Sequence, residues 1–187
     1  MKSSIHVNGA GGFTLLELMV ALTVLSILIA VAVPSFREIG LNSRAAAAHS
    51  DLVTALSYAR SEAVRRGRNV AVCATTNFTN CTGPNGWPTG WIVFTDDSGV
   101  AGNRDGTDEL LQRWNGPGPN VTDWGYFGTV VLTPSFARFT PTGTTVPTTP
   151  KAWTIQRHNC PSGMPNGRRI LTVSAVGHIQ TTRVDCP

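Results

Sequence analysis

The 187-residue chain is poor in charge, with 14% Asp, Glu, Lys and Arg, and rich in Gly (19) and Pro (12). That balance suits one turn-rich β domain plus an anchor and speaks against a helical bundle. The formal charge of +4, from 15 basic against 11 acidic residues, permits contact with an anionic surface without demanding it. The basic residues are nearly all Arg, with Lys only at Lys2 and Lys151.

The chain opens on a short polar leader, MKSSIHVNGAGG, which carries one Lys. An apolar run follows over residues 13–33 and stops at Pro34; its one charge is Glu17. At about 1.5 Å per residue this run is long enough to cross a hydrocarbon core of about 30 Å. A secretory signal peptide places small residues after its apolar stretch, as a cleavage site. Here Ala10, Gly11 and Gly12 come before it, so cleavage there removes the leader and keeps the anchor. The Lys-bearing leader is expected on the cytoplasmic side, with everything beyond Pro34 translocated. A carboxylate inside a membrane segment is expensive and marks function.

Gly12-Phe13-Thr14-Leu15-Leu16-Glu17 resembles the type III signal of type IV pilins and type II secretion pseudopilins. The resemblance implies that a prepilin peptidase cuts after Gly12 and methylates the new N-terminus, Phe13. Glu17 then becomes the fifth mature residue and Pro34 the twenty-second, where pilins commonly carry proline. It also implies a partner for the acid. In an assembling filament Glu17 would meet the α-amino group of Phe13 on a neighbouring subunit, and a buried carboxylate is tolerated when it gains a cation in low dielectric. An unpaired Glu17 penalises the bilayer state and so favours the filament. The plainer alternative is a carboxylate near the interface that snorkels to water.

Past Pro34, residues 44–66 read as an amphipathic helix, with Ala45, Ala48, Leu52, Leu56, Ala59 and Ala63 at spacings of three and four. Gly67 is its C-cap, and Arg60, Arg65 and Arg66 suit the negative end of the helix dipole. One long helix is expected from the membrane into the periplasmic domain, with Pro34 and Gly40 as its weak points. After Gly67 the period changes to that of strands. These are NVAVCAT at 69–75, GWIVFTDDSG and its return DELLQRW, two or three strands within TVVLTPSFARFTPTG and AWTIQRHNC, and a closing pair in RRILTVSAVGHIQTTRV. Residues 140–150, TPTGTTVPTTP, read as a Thr/Pro-rich connecting loop. Neither an internal repeat nor a second domain is visible.

Three of these segments resemble the GspH/FimT/FimU group of minor pilins and pseudopilins. They are the Gly-Trp strand leading through an Asp-rich turn to a Leu-Leu strand, the Phe-x-Pro-x-Gly turn in RFTPTGTT, and the final Val-x-x-Ser-x-x-Gly strand in ILTVSAVGHI. The resemblance implies an α+β pilin-like fold, with a long N-terminal helix, half membrane-spanning and half amphipathic, packed on antiparallel sheets. It divides the chain into a leader at 1–12, a hydrophobic assembly helix at 13–40 and a periplasmic globular domain at 41–187. The implied protein is a minor pilin that primes or caps type IV pili from a tip complex. Its partners would be the prepilin peptidase, other minor pilins, the major pilin and the inner membrane, and it would end on the cell-surface pilus. The first alternative is a GspH-type pseudopilin of a type II secretion system. The second is a FimT-like pilin that binds DNA during natural transformation.

The DNA-binding members carry a C-terminal Gly-Arg-x-Arg. At the matching place this chain has Gly177-His178-Ile179-Gln180, which replaces both fixed cations. Phosphate binding draws on such cations, so the departure argues against DNA at that motif. Arg168, Arg169 and Arg183 lie nearby in sequence and are the residues that could compensate.

Four cysteines, Cys73, Cys81, Cys160 and Cys186, have long irregular spacings that give little support to a zinc or haem site. An even count in an exported domain reads as disulfides, with three connectivities open. Proximity favours Cys73–Cys81, closing the CATTNFTNC loop, and Cys160–Cys186, tying down the C-terminal tail. No cofactor or metal is expected. The acids of the turn (Asp96, Asp97, Asp105, Asp108, Glu109) fail the EF-hand template because Ala101 and Gln112 hold its first and last positions. His6, His49, His158 and His178 lack metal spacing, and no nucleophile or phosphate-loop motif occurs, so an enzyme is not expected. Trp87, Trp91, Trp114, Trp124 and Trp153 are expected to pack a β core.

Overall fold

The computed structural model describes residues 13–83, 86–97, 99–117, 135–156 and 160–186, apart from the side chains of residues 31, 33–38 and 41. One helix, α1, runs Leu15–Arg66. The strands that follow are β1 (Val70–Ala74), β2 (Gly90–Thr95), β3 (Leu110–Asn115), β4 (Phe136–Phe139), β5 (Thr145–Val146), β6 (Lys151–Gln156), β7 (Arg168–Val173) and β8 (Ile179–Val184). The fold is α+β, an N-terminal helix with antiparallel sheets. The chain divides into two compact units, Met1–Ile39 and Gly40–Pro187.

In the first unit every described side chain is exposed, including Phe13, Leu16, Leu18, Leu22, Leu25 and Leu28. A helix apolar on all sides has no polar face to give to water and requires cover. Among the described residues no helix is long and apolar enough to cross a membrane. The sequence carries the apolar run on through Val31 and Val33, whose side chains lie outside the description. The helix backbone continues through Pro34 and Gly40.

In the second unit α1 contributes a narrow buried face of Ala45, Ala48, Leu52, Ala55, Leu56, Ala59 and Ala63. The steps of three and four keep these residues on one side of the helix. Most are Ala, so the backbone lies close to what it covers. The helix stops at Gly67, whose φ of 62° is a left-handed conformation that costs Gly little. The Arg68 N–H then turns back to the Ala63 carbonyl at 3.3 Å, the long bond of a Schellman cap.

The first sheet has the order β3-β2-β1-β4-β5 and the second β6-β7-β8, all pairs antiparallel. Strands β1 and β2 are buried at every position because both of their faces are covered. Val70, Val72, Ala74, Trp91 and Val93 face the main core with α1. Ala71, Cys73, Ile92 and Phe94 form a second cluster on the other face, roofed by Cys81, Leu110 and Phe136. The two sheets join where the Thr145 N–H donates to the Ala175 carbonyl at 2.9 Å. Residues 140–150, expected as a plain loop, therefore contain β5: a two-residue strand is too short to show an alternation in sequence. The strand expected at the start of TVVLTPS, and Trp124, lie outside the described residues.

Three tryptophans weld the layers. Trp87 meets Trp153 edge-on at 5.5 Å between centroids and Trp91 at 6.3 Å, and all three are essentially inaccessible. Trp114 is partly buried beside them, with Tyr58 of α1 on its ring at 5.9 Å. The disulfides pair Cys73 with Cys81 and Cys160 with Cys186. Each shortens the free chain and so disfavours the unfolded state, the second across the longer separation of 26 residues.

The acids of the turn are consumed internally. The buried Asp96 accepts from the Gly102 N–H at 2.8 Å and faces Arg138 Nε at 3.0 Å. Arg138 Nε makes no hydrogen bond there, so that contact is Coulombic. Burial nevertheless pushes the Asp96 carboxyl above its ordinary range. Asp97 pairs with Arg68 and with the Asn69 N–H, and Asp108 accepts from the Asp97 N–H.

At the other end of this network Glu62, 7% exposed, accepts from Arg65 at 2.5 Å and Arg66 at 2.6 Å; Arg66 also reaches Glu109 at 2.7 Å. The hydrogen bonds from Arg65, then Arg66, hold the Glu62 carboxyl down at about 2. A depressed carboxyl stabilises the fold above its unfolded value and loses that contribution as pH falls toward the folded one. Glu62→Gln is therefore expected to cost about 1–3 kcal/mol at pH 7. In thermal unfolding the gap between wild type and variant should close between pH 4.5 and about 2.

Candidate functional site

The first turn of α1 explains part of the N-terminal motif. Thr14 is the N-cap: its carbonyl accepts the Leu18 N–H at 3.2 Å, and its hydroxyl accepts the Glu17 N–H at 3.2 Å. Thr14-Leu15-Leu16-Glu17 is thus a Thr-x-x-Glu capping sequence, legible in the sequence but not read there. It puts Glu17 at the third helical position, where the helix dipole favours an anion. The same acid lies on an exposed apolar helix with Phe13 four residues away, 86% exposed. Gly12 lies outside the described residues, and Pro34 sits within the α1 backbone with its side chain outside the description.

The three C-terminal arginines do not form one cluster. The β7–β8 register sets Arg169 directly opposite Arg183. Arg168, one residue along, falls on the other face of the sheet, where its Nε donates to the Asp185 carbonyl at 2.9 Å. Arg169 is half-buried and Arg183 exposed. Burial, and then the neighbouring Arg183, lower the pKa of Arg169. His49 of α1 joins this side of the sheet, its Nε2 2.9 Å from Thr181 Oγ1. Burial lowers its pKa, and Arg169 and Arg183 lower it further. Residue spacing gave no hint of this meeting, because His49 and Thr181 are 132 positions apart.

A groove of about 630 Å³ lies where α1 nears its end, lined by Ser57, Arg60, Ser61, Val64, Arg65, Thr142, Gly143, His178 and Ile179. Arg60 does not serve the helix terminus, as its position suggested. Its Nε donates to the Gly143 carbonyl at 3.0 Å and its Nη2 to the Val176 carbonyl at 3.4 Å, fastening two turns to the helix. Gly177, which matches the first residue of the DNA-binding motif, is needed for this packing. Its φ is 74°, and a Cβ there would stand 2.0 Å from the Gly143 carbonyl oxygen. His178 is exposed beside the groove.

Among the described residues no group of three or more His, Cys, Asp or Glu is placed to hold a metal. The arrangement is that of a scaffold: an unshielded apolar helix with an acid in its first turn, and a disulfide-bonded β domain.

Two sequence profiles match the chain. One, described as Type II transport protein GspH, covers residues 48–177, more than half of the chain. The other, the prokaryotic N-terminal methylation motif, covers residues 8–33. Two fimbrial proteins of Pseudomonas aeruginosa are each 33% identical over 107 residues. That match takes in 54% of this chain and 65% of theirs, just under two thirds of those relatives. Among solved structures, the type IV minor pilin FimU of Pseudomonas aeruginosa has a TM-score of 0.47 at 25% identity, covering 73% of this chain and 90% of its own. The minor pseudopilin EpsH of the Vibrio cholerae type 2 secretion system has a TM-score of 0.47 at 11% identity, covering 75% and 97%.

A methylation motif on an exposed apolar helix, followed by an α+β domain, defines a subunit of the pilin class. The chain belongs to the GspH family, as a type IV minor pilin or pseudopilin of its GspH/FimU group, a family of structural subunits.

Gly177→Ala is expected to lower stability by at least about 1–3 kcal/mol from its positive φ alone. The thermal midpoint should fall by several degrees, and Gly163→Ala, whose added Cβ meets open space at a similar φ, should lose less.

Proposed function

We propose that this chain is a minor pilin that primes or caps type IV pili from a tip complex. The observation that supports this reading most is the pairing of a methylation motif over residues 8–33 with a GspH domain over 48–177. In this reading a prepilin peptidase removes residues 1–12, cutting between Gly12 and Phe13. The new α-amino group then stands one helical turn before Glu17. The apolar segment from Phe13 anchors the chain in the inner membrane, with residues 41–187 in the periplasm. It later passes into the filament beside other minor pilins and the major pilin.

The energetic logic rests on Glu17. In hydrocarbon an ionised carboxylate without a partner is heavily penalised. A neighbouring subunit's Phe13 amine supplies the counter-charge and fixes the axial register of two otherwise featureless apolar helices. Exposed Leu15, Leu16, Leu18 and Met19 exchange lipid for protein contacts in the same step. The resemblance to fimbrial proteins favours the pilus over the secretion pseudopilus, while the description of the GspH family keeps the secretion reading as the second one. DNA uptake is not favoured, because His178 and Gln180 stand where the DNA-binding motif has arginines.

Glu17→Ala is expected to be cleaved and anchored normally yet to fall at least about tenfold in sheared pili, since a tenfold loss needs only about 1.4 kcal/mol. Normal incorporation of that variant rules out the ion-pair mechanism. Deleting the gene should abolish or sharply reduce surface pili. Pili in normal number with secretion blocked would assign the chain to a secretion pseudopilus.

A further inference from the structure

We infer that Arg169 and Arg183, with His49 behind them, form a docking site for an acidic side chain, Asp or Glu, of a neighbouring subunit. The inference rests on the assembly reading above and adds to it a contact made by the globular domain. Like charges directly opposite on paired strands destabilise a sheet, so a pair kept only for folding would carry opposite signs. Here Arg169 faces Arg183, and among the described residues neither guanidinium has an ion pair or a hydrogen bond. Arg169 is half-buried, which withdraws part of its hydration and leaves the charge under-compensated. A planar guanidinium offers a fork of donors that a carboxylate fills bidentately.

The site spans Arg169 on the central strand β7 and Arg183 on β8, an edge strand of the second sheet, where Gln180, Thr181, Thr182 and Arg183 are all exposed. A segment of another subunit can reach it from the open side. The size of the charge cluster favours a carboxylate over a nucleic acid. A polyanion needs a track of cations, and two further arginines near this sheet are spent: Arg60 on two carbonyls, Arg168 on the Asp185 carbonyl and the opposite face. Arg65, Arg66, Arg68 and Arg138 are already ion-paired within the chain. Two guanidiniums and an imidazole match one carboxylate.

The test uses the full chain in its own host, comparing wild type, the R169Q/R183Q double variant and the R169K/R183K double variant. For each, the amount in sheared surface filaments is measured relative to the amount in membranes. The thermal midpoint of the purified protein and retardation of double-stranded DNA are measured alongside. Expected is a loss of at least about tenfold from filaments for the Gln variant, with a midpoint equal to or above wild type because the like-charge repulsion is gone. The Lys variant, which keeps the charge without the fork, should fall between the two.

Wild-type incorporation of the Gln variant overturns the inference alone. So does a midpoint lowered by more than about 4 °C, which would make the arginines part of the fold. DNA retardation by wild type that the Gln variant loses, with filament content unchanged, replaces the carboxylate by a phosphodiester. Absence of the wild-type chain itself from filaments overturns the assembly reading and this inference with it.

Discussion

The packing of the small-residue face of α1 in the globular unit is the constraint on which the other layers depend. Ala45, Ala48, Ala55, Ala59 and Ala63 leave the helix almost without side-chain thickness on that side. Sheet residues such as Val72, Val93, Leu171 and Val173 therefore share one core with it, and the large volumes are supplied by Trp91 and Trp153 of the sheets and by Trp87 of the turn before β2. Interiors are packed to near-crystalline density, so small residues on the helix and large ones opposite are a matched choice. Between the two sheets, the Thr145 N–H of β5 reaches the Ala175 carbonyl in the turn after β7. The shared helix and the tryptophans hold them together.

The polar residues follow the same economy. Glu62 collects two arginines at the end of α1 and connects through Arg66 to Glu109 beside β3. Asp96 and Asp97 hold the turn after β2 against Arg138 and Arg68. Exposed ion pairs are individually weak, but Glu62 is nearly buried, and the pairs Arg66–Glu109, Arg68–Asp97 and Arg138–Asp96 each join segments distant in sequence. Against this background of matched charge, the opposed Arg169 and Arg183 stand out as unspent.

The N-terminal turn combines two demands in six residues. The first N–H groups of a helix have no partner within it, and Thr14 caps one of them with its hydroxyl. Glu17 sits at the position where a carboxylate eases the helix dipole, on a helix surface otherwise free of charge. One acid thus serves the single subunit and, in the assembly reading, the contact between subunits.

Periodicity and composition in the sequence were enough for the amphipathic half of α1, its cap at Gly67 and the strands β1, β2, β3, β7 and β8, because each is a local pattern carried by neighbouring residues; the α+β class came from the resemblance to the family. The order of small residues before an apolar run, with Glu17 inside it, was likewise a property of adjacent positions. What only the tertiary structure decided depends on contacts between distant ones. Strand β5 exists because Arg138 and Phe139 pair with Val146 and Thr145. Arg60 serves two turns more than eighty residues away and not its own helix end. Arg168 and Arg169, adjacent in sequence, separate because strand side chains alternate faces, while Arg169 and Arg183 meet because the hairpin register puts them opposite. A sequence lists charges in order along the chain, and only pairing across strands determines which of them must share the same space.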